Sequence, residues 1–203
     1  MNQKERMLNE LPYQAWKDGL SEERKENKRK VYRYNKLSLD EEKEQDRLIR
    51  EIVGKCGETI WVEQPFHCDY GYNIEVGNNF YSNYNLTILD VGKVIIGENV
   101  MIAPNVSLYT AGHPLHPDAR NSGYEYGIGI TIGDNVWIGG NTVVNPGVHI
   151  GNNVVIGSGS VVTKDIPDNA LAAGNPCKVI RFLTEEDKKY YYKNRKFDFE
   201  TDF

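Results

Sequence analysis

The sequence predicts a mainly β protein: a parallel β-helix of hexapeptide repeats, with a helical cap before it and a helix after it. Three observations carry that expectation. Aliphatic residues recur at every sixth position, at Ile96, Ile102, Leu108, Ile132, Ile138, Val144, Ile150, Ile156 and Val162. Two residues before each stand Val94, Val100, Val106, Ile130, Val136, Thr142, Val148, Val154 and Ser160, again aliphatic or small. Glycine follows the main position at 97, 133, 139, 151 and 157, and turn formers such as Glu98-Asn99, Asp134-Asn135 and Asn152-Asn153 come next. A period of six belongs neither to a helix nor to a plainly alternating strand. It reads as one short strand plus a corner, and only stacked units of this kind bury a continuous core.

The cap is expected over residues 1–57. Glu5 to Leu11 reads as a helix stopped by Pro12, and a second helix follows Ser21, placed as an N-cap before Glu22, Glu23 and Arg24. A third opens with capping-box spacing at Ser38 and Glu41, carries Leu48, Ile49, Ile52 and Val53, and stops at Gly54. Lys and Arg number 24 and Asp and Glu 29, and 26 of these charges lie in the first 55 positions, as the solvated faces of amphipathic helices require. The β-helix is expected over 58–180. Three hexads close one triangular coil, Val76, Ser82 and Ile88 mark a weaker earlier coil, and residues 58–75 supply another. Between Leu108 and Ile132 the in-phase residues are Pro114, Arg120 and Tyr126, so a long loop leaves the coil at about 109–130. Residues 181–203 are expected to form a helix and tail. Thr184 serves as N-cap, Glu185, Glu186 and Asp187 favour the positive end of the helix dipole, and Tyr190, Tyr191 and Tyr192 pack on the β-helix or a neighbour.

Composition excludes several function classes. With 39% hydrophobic and 26% charged residues and a net charge of -5, the chain reads as soluble and globular, and no apolar run reaches the roughly 20 residues of a membrane span. From Gly57 to Thr163 there are nine acids and only two cations, Lys93 and Arg120, which leaves no basic stripe for nucleic acid. Met1 to Glu10 is charged and lacks the apolar core of a signal peptide, so a cytoplasmic location is expected. Cys56, Cys68 and Cys177 are odd in number and far apart, as packed thiols rather than a disulfide or zinc framework.

Loops of this length without their own periodicity concentrate function, and this one opens with His113-Pro114-Leu115-His116-Pro117. A neutral imidazole accepts a proton near pH 7, and spacing alone leaves His113 and His116 both open as general bases.

Larger segments carry a resemblance: Asp69-Tyr70-Gly71-Tyr72-Asn73, Asn83-Tyr84-Asn85-Leu86-Thr87, Gly112-His113-Pro114, Arg120-Asn121-Ser122-Gly123, Val136-Trp137-Ile138-Gly139-Gly140, Val162-Thr163-Lys164-Asp165-Ile166-Pro167 and Gly174-Asn175-Pro176-Cys177. In these the chain resembles the hexapeptide-repeat acetyltransferases of the maltose and galactoside O-acetyltransferase type, the maltose branch most. The resemblance implies a left-handed β-helix and a homotrimer with active sites between subunits. It further implies acetyl-CoA as donor to a sugar acceptor; no step of that transfer requires a metal, and the composition argues against a nucleic-acid or membrane partner.

Carried over residue by residue, it makes His113 the catalytic base; an imidazole also needs a partner that fixes its tautomer, and Glu125, at the far end of the same loop, is the candidate for that. Asn83 would position the acceptor or the developing oxyanion, while Asn85 reads as structural. The acceptor wall would hold Asp69, Tyr81, Asn83 and Met101. Galactoside enzymes carry a serine at the Asp69 position, an acid at the Val91 position and an aspartate at the Ala15 position, with Asp18 nearby. These departures point to a glucose- or maltose-like acceptor. Trp16, Tyr13 and Tyr84 could stack on a sugar or simply pack. The donor positions are Gly140, Ser158, Thr163, Lys164, Lys178 and Arg181, the three cations answering the phosphates of coenzyme A. Trp137 lies against the pantetheine arm or at a subunit contact. Two further alternatives stand beside a non-sugar, xenobiotic hydroxyl as acceptor: a carbonic anhydrase-like zinc enzyme using His67, His113, His116 and His149, and a scaffold without catalysis.

Overall fold

The computed structural model describes residues 1–199. Every main hexad position and its partner two residues earlier, from Val94 to Val162, is buried, so the period of six is the period of the core. Each coil contributes one short strand to each of three faces. The first coil runs through Lys55–Cys56, Ile60–Val62 and Phe66–Cys68, and the second through Ile74–Val76, Phe80–Ser82 and Leu86–Leu89. Val94–Ile96, Met101–Ile102 and Ser107–Tyr109 form the third, and Ile130–Ile132, Trp137–Ile138 and Val143–Val144 the fourth. His149–Ile150, Val155–Ile156 and Val161–Val162 complete the fifth. Parallel pairing from coil to coil builds sheets of five, seven and five strands, the seven including Ala170–Ala173 and the antiparallel Lys178–Phe182 at the end of the second face. Thr142 and Ser160, the two polar entries in the inward rows from Val94 onward, donate their hydroxyls to corner carbonyls at Gly139 and Gly157. Their burial therefore leaves no unpaired donor.

The weak signal before residue 94 has a structural cause. Val76 pairs with Ile96, twenty positions on, whereas Ile132 pairs with Ile150, eighteen positions on. The extra two residues per coil sit at the third corner, between the third and first faces, and break the phase there without disturbing the stack.

The other two corners repeat a shared chemistry. At the first, Asn79, Asn99, Asn135, Asn153 and Asn169 all have φ between 55° and 59°. Their side-chain amides donate in series, each Nδ2 to the next Oδ1, at 3.0, 3.2, 2.9 and 2.9 Å. Asparagine tolerates the left-handed region and here is paired above and below as well. The preceding glycines have another reason: a Cβ on Gly97 would lie 2.2 Å from Asp134 Oδ1, in the space where that carboxylate accepts the Glu98 N–H.

The cap is helical, as expected, with shifted starts. Helix α1 spans Gln3–Leu8 behind a complete Asn2–Glu5 capping box. Helix α2 spans Leu20–Tyr34 and starts from Gly19 at φ 83°, while Ser21 donates to the Ala15 carbonyl instead of capping. Helix α3 spans Glu42–Ile52; the Ser38 N–H does meet the Glu41 carboxylate at 2.8 Å, but the helix begins after that turn. Gly54 does not cap it. A Cβ there would fall 2.2 Å from the Tyr72 carbonyl, so this glycine permits α3 to run directly into the first coil.

At the other end Thr184 caps as expected, its N–H 2.8 Å from Asp187 Oδ2, yet only a five-residue 3-10 turn, Glu185–Lys189, follows. Three successive tyrosines favour extended backbone, and Tyr190–Tyr192 pairs with Arg195–Lys196 as a hairpin. Tyr191 and Tyr192 are exposed, and Tyr191 packs on Phe197 rather than on the coils. Residues 200–203 of the expected tail lie outside the described residues. No helix among the described residues is long and apolar enough to cross a membrane.

Candidate active site

The loop leaves the third coil at its third corner. Thr110, fully buried, pins the exit: its hydroxyl donates to the Leu89 carbonyl at 2.5 Å and accepts the Gly92 N–H at 2.8 Å. Ala111–Gly112 then pairs antiparallel with Tyr126–Gly127, so the loop has a two-stranded root. Tyr126 lies over Gly112, where a Cβ would meet its Cζ at 2.4 Å. His113 is the next residue, exposed and without a hydrogen-bond partner among the described residues. His116 is differently employed. It is the N-cap of α4 (Pro117–Asn121), and its Nδ1 accepts the Asp118 N–H at 3.3 Å.

Glu125 sits at the returning end of the root. Its carboxylate accepts the hydroxyl proton of Tyr13, and its backbone exchanges hydrogen bonds with Tyr13 at 2.9 and 3.0 Å. No hydrogen bond joins Glu125 to His113 among the described residues. Burial first, then the adjacent carboxylate, hold the Tyr13 phenol far above its ordinary value, so it remains a donor.

Beside the root, at the same corner, stand Asp69 and Val91. Asp69 Oδ1 pairs with Lys28 Nζ at 3.2 Å, and the carboxylate is largely shielded from solvent. Val91 packs with Ala15, Met7, Tyr13, Leu20 and Tyr70 in a small apolar cluster separate from the main core. Asp18 points elsewhere, accepting the Gln3 N–H at 2.7 Å. Trp16 lies against Gly123 of the loop.

The remaining candidates occupy a second column. Asn83 is at the corner between the second and third faces, with its Oδ1 taking the Tyr84 N–H at 2.7 Å. Gly140 and Ser158 follow at that corner two and three coils on. Tyr81, Met101 and Trp137 are register partners pointing outward from the second face. Met101 is 54% and Trp137 52% exposed, an apolar row facing solvent on a single chain. Asn85 is exposed at the corner, adopts φ 62°, and its amide donates to Asn105 at 3.0 Å. One chain therefore carries Asp69, Val91 and the His113 loop at the third corner, and Asn83, Gly140 and Ser158 at the second.

Thr163 and Lys164 are exposed at the third corner of the fifth coil, and Lys178 is exposed on the antiparallel strand that ends the second face; neither lysine has an ion-pair partner among the described residues. Arg181 has one. Its guanidinium grips Asp187 at 2.6 and 2.9 Å, which holds that carboxyl down at about 2. The four histidines are dispersed, His67 on the third face, His149 on the first and two on the loop. No group of three or more His, Cys, Asp or Glu able to hold a metal occurs among the described residues.

Residues 6–57 match the maltose acetyltransferase hexapeptide capping motif, and residues 129–164 the bacterial transferase hexapeptide (six repeats). The chain is 51% identical to the galactoside O-acetyltransferase of Escherichia coli over 88% of each protein. It belongs to the hexapeptide-repeat acetyltransferases of the maltose and galactoside O-acetyltransferase type. Among solved members, a galactoside acetyltransferase in complex with coenzyme A superposes with TM-score 0.95 at 48% identity, covering 98% of this chain and 99% of that one. A maltose O-acetyltransferase from Clostridium difficile superposes with TM-score 0.90 at 51% identity, over 91% and 99%. As a family member the protein presents the expected Gly-His-Pro segment on a rooted loop. The residues that sequence reasoning missed are those of the root: Tyr13 as the partner of Glu125, and Tyr126 as the plate over Gly112. Tyr13 and Glu125 are 112 positions apart, and no local pattern joins them.

Proposed function

We propose that the protein transfers an acetyl group from acetyl-CoA to a hydroxyl of a glucose- or maltose-like sugar, with His113 as general base, and that it does so as a homotrimer. The observation that carries the reading is the imidazole of His113, exposed and without a hydrogen-bond partner among the described residues, next to a fixed loop root, while His116 is spent on a helix cap. His113 accepts the hydroxyl proton as the oxygen attacks the thioester carbonyl. The new C–O bond forms, the C–S bond breaks, and the proton passes from the imidazolium to the departing thiolate. Asn83 supplies an amide donor toward the oxygen on which charge develops.

The donor assignment is supported by the coenzyme A complex of a relative. On this chain Lys164 and Lys178 have no ion-pair partner among the described residues and can meet phosphates, while Arg181 already holds Asp187 and would offer them its remaining N–H donors. Gly140, Ser158 and Thr163 complete the proposed contacts. The preference for a glucose-like acceptor is supported by Ala15 and Val91, which share one apolar cluster and offer the acceptor no carboxylate. Asp69, Tyr81 and Met101 form the proposed wall.

Thiol release from acetyl-CoA with glucose, maltose, galactosides and chloramphenicol as acceptors tests this reading. We expect sugar-dependent release, lower by about 10²- to 10⁴-fold in His113→Ala. Equal rates in both proteins would remove His113 as base, and release with chloramphenicol alone would make the acceptor a xenobiotic hydroxyl.

A further inference from the structure

We infer that Tyr13 is a positioning residue for the loop that carries His113, acting through Glu125. The inference rests on the reading of His113 as base. The segment from Glu10 to Trp16 crosses the loop at successive points. Glu10 Oε1 accepts the Gly129 N–H at 2.9 Å, Tyr13 and Glu125 exchange both backbone hydrogen bonds, and the Trp16 ring closes on Gly123. Between these lies the Tyr13 hydroxyl, donated to the Glu125 carboxylate from a fully buried ring.

The loop needs such an anchor. Helix α4 buries none of its residues, and no residue from His113 to Tyr124 is buried. Its shape is therefore set at the root, and the root's own ladder is only two residues long on each side. Tyr13 adds a third strand position to that ladder. From there each step is a contact: Tyr13 to Glu125, Glu125 by the chain to Tyr126, the Tyr126 ring onto Gly112, and Gly112 by the chain to His113.

What this role asks of Glu125 is an acceptor oxygen. A glutamine carbonyl supplies one and alanine does not. An electrostatic role toward His113 asks instead for the negative charge, which glutamine lacks. The two roles therefore order the variants differently.

The test compares kcat and KM of Tyr13→Phe, Glu125→Ala, Glu125→Gln and the Tyr13→Phe/Glu125→Ala pair, each with its thermal unfolding and its rate of proteolysis within residues 113–124. We expect Tyr13→Phe and Glu125→Ala each to lose about 10- to 100-fold in kcat, with KM for acetyl-CoA changed less than about twofold. The double variant should be no worse than Glu125→Ala, and glutamine should recover most of the loss. Loop cleavage should be faster in Tyr13→Phe. Glutamine as poor as alanine, additive losses, or a folded Tyr13→Phe with native kcat would each overturn the inference. If His113→Ala were itself active, the base reading would fall, and the proteolysis arm would still decide this one: unchanged cleavage in Tyr13→Phe refutes positioning.

Discussion

Asp90 is the one acidic side chain buried among the described residues, and it holds the third corner together. Its Oδ1 accepts the N–H groups of Asp69 and Tyr70 at 2.8 and 2.9 Å, and its Oδ2 that of Gly71 at 2.6 Å. Two effects compete there. Three converging donors favour the carboxylate, and burial opposes it; burial prevails, and the group is pushed up to about 6. A folded value above the unfolded one, near 4, means that the native state binds this proton more tightly. The stability it contributes is full below about pH 4 and is lost as pH rises through about 6. Asp90→Asn keeps one acceptor but turns an amide N–H₂ toward a backbone donor, and we expect it to cost about 1–3 kcal/mol at neutral pH. It also removes the titration. Urea unfolding at pH 4.5 and 7.5 should therefore find the gap between native and variant proteins narrower at the higher pH. A gap that widens with pH would mean that the donors outweigh burial.

At the scale of elements, the corners determine whether successive coils stay in register. Asn135 illustrates both demands made of a corner residue, with φ 57° and an amide that donates to Asn153 at 2.9 Å while its Oδ1 accepts from Asn99 at 3.2 Å. Glycine in its place keeps the left-handed backbone and loses the ladder; alanine loses both. We expect Asn135→Ala to destabilise by about 1–2 kcal/mol more than Asn135→Gly, read as the difference in urea midpoints. Equal losses would assign the whole effect to the amide ladder. These corners also explain what the sequence discloses. The inward rows from Val94 onward were legible because two aliphatic positions recur in each six residues, and burial imposes that recurrence directly. The first two coils were faint because two-residue insertions at the third corner shift the phase, and the insertions make room for the turn that Asp90 closes. Ser21 reads as a cap locally, yet Gly19 starts α2 because the chain must turn sharply after Asp18. The Gly-His-Pro segment stood out by its motif, whereas the Tyr13–Glu125 anchor is a contact between distant segments and has no local signature. The tyrosine triplet after Thr184 could have warned that a helix there would be short.

For the whole molecule, the decisive arrangement is the separation of the candidate residues into two columns. His113, Glu125 and Asp69 belong to the third corner, while Asn83, Gly140 and Ser158 stand at the second, a full face away. The outward row Trp61, Tyr81, Met101 and Trp137 runs along the second face beside that column and is left to solvent by a single chain. Association that brings the third corner of one copy to the second corner of the next would cover the apolar row and complete the site at once. In a cyclic trimer every interface is then one site, with His113 from one copy and Asn83 from its neighbour. Mixing variants tests this without assuming any distance. His113→Ala and Asn83→Ala proteins should each be nearly inactive. If the two are unfolded and refolded together in equal amounts, an interface is intact when the His-bearing side comes from the Asn83→Ala chain and the Asn-bearing side from the His113→Ala chain. Random assembly makes that true of about a quarter of interfaces, so about a quarter of native activity should return. Sedimentation should report a species near three times 23.2 kDa for every mixture. A site built within one chain can never be restored by this mixing, because each chain retains its own defect; recovery at the level of the separate variants would therefore place both groups in a single copy and leave the apolar row to some other contact.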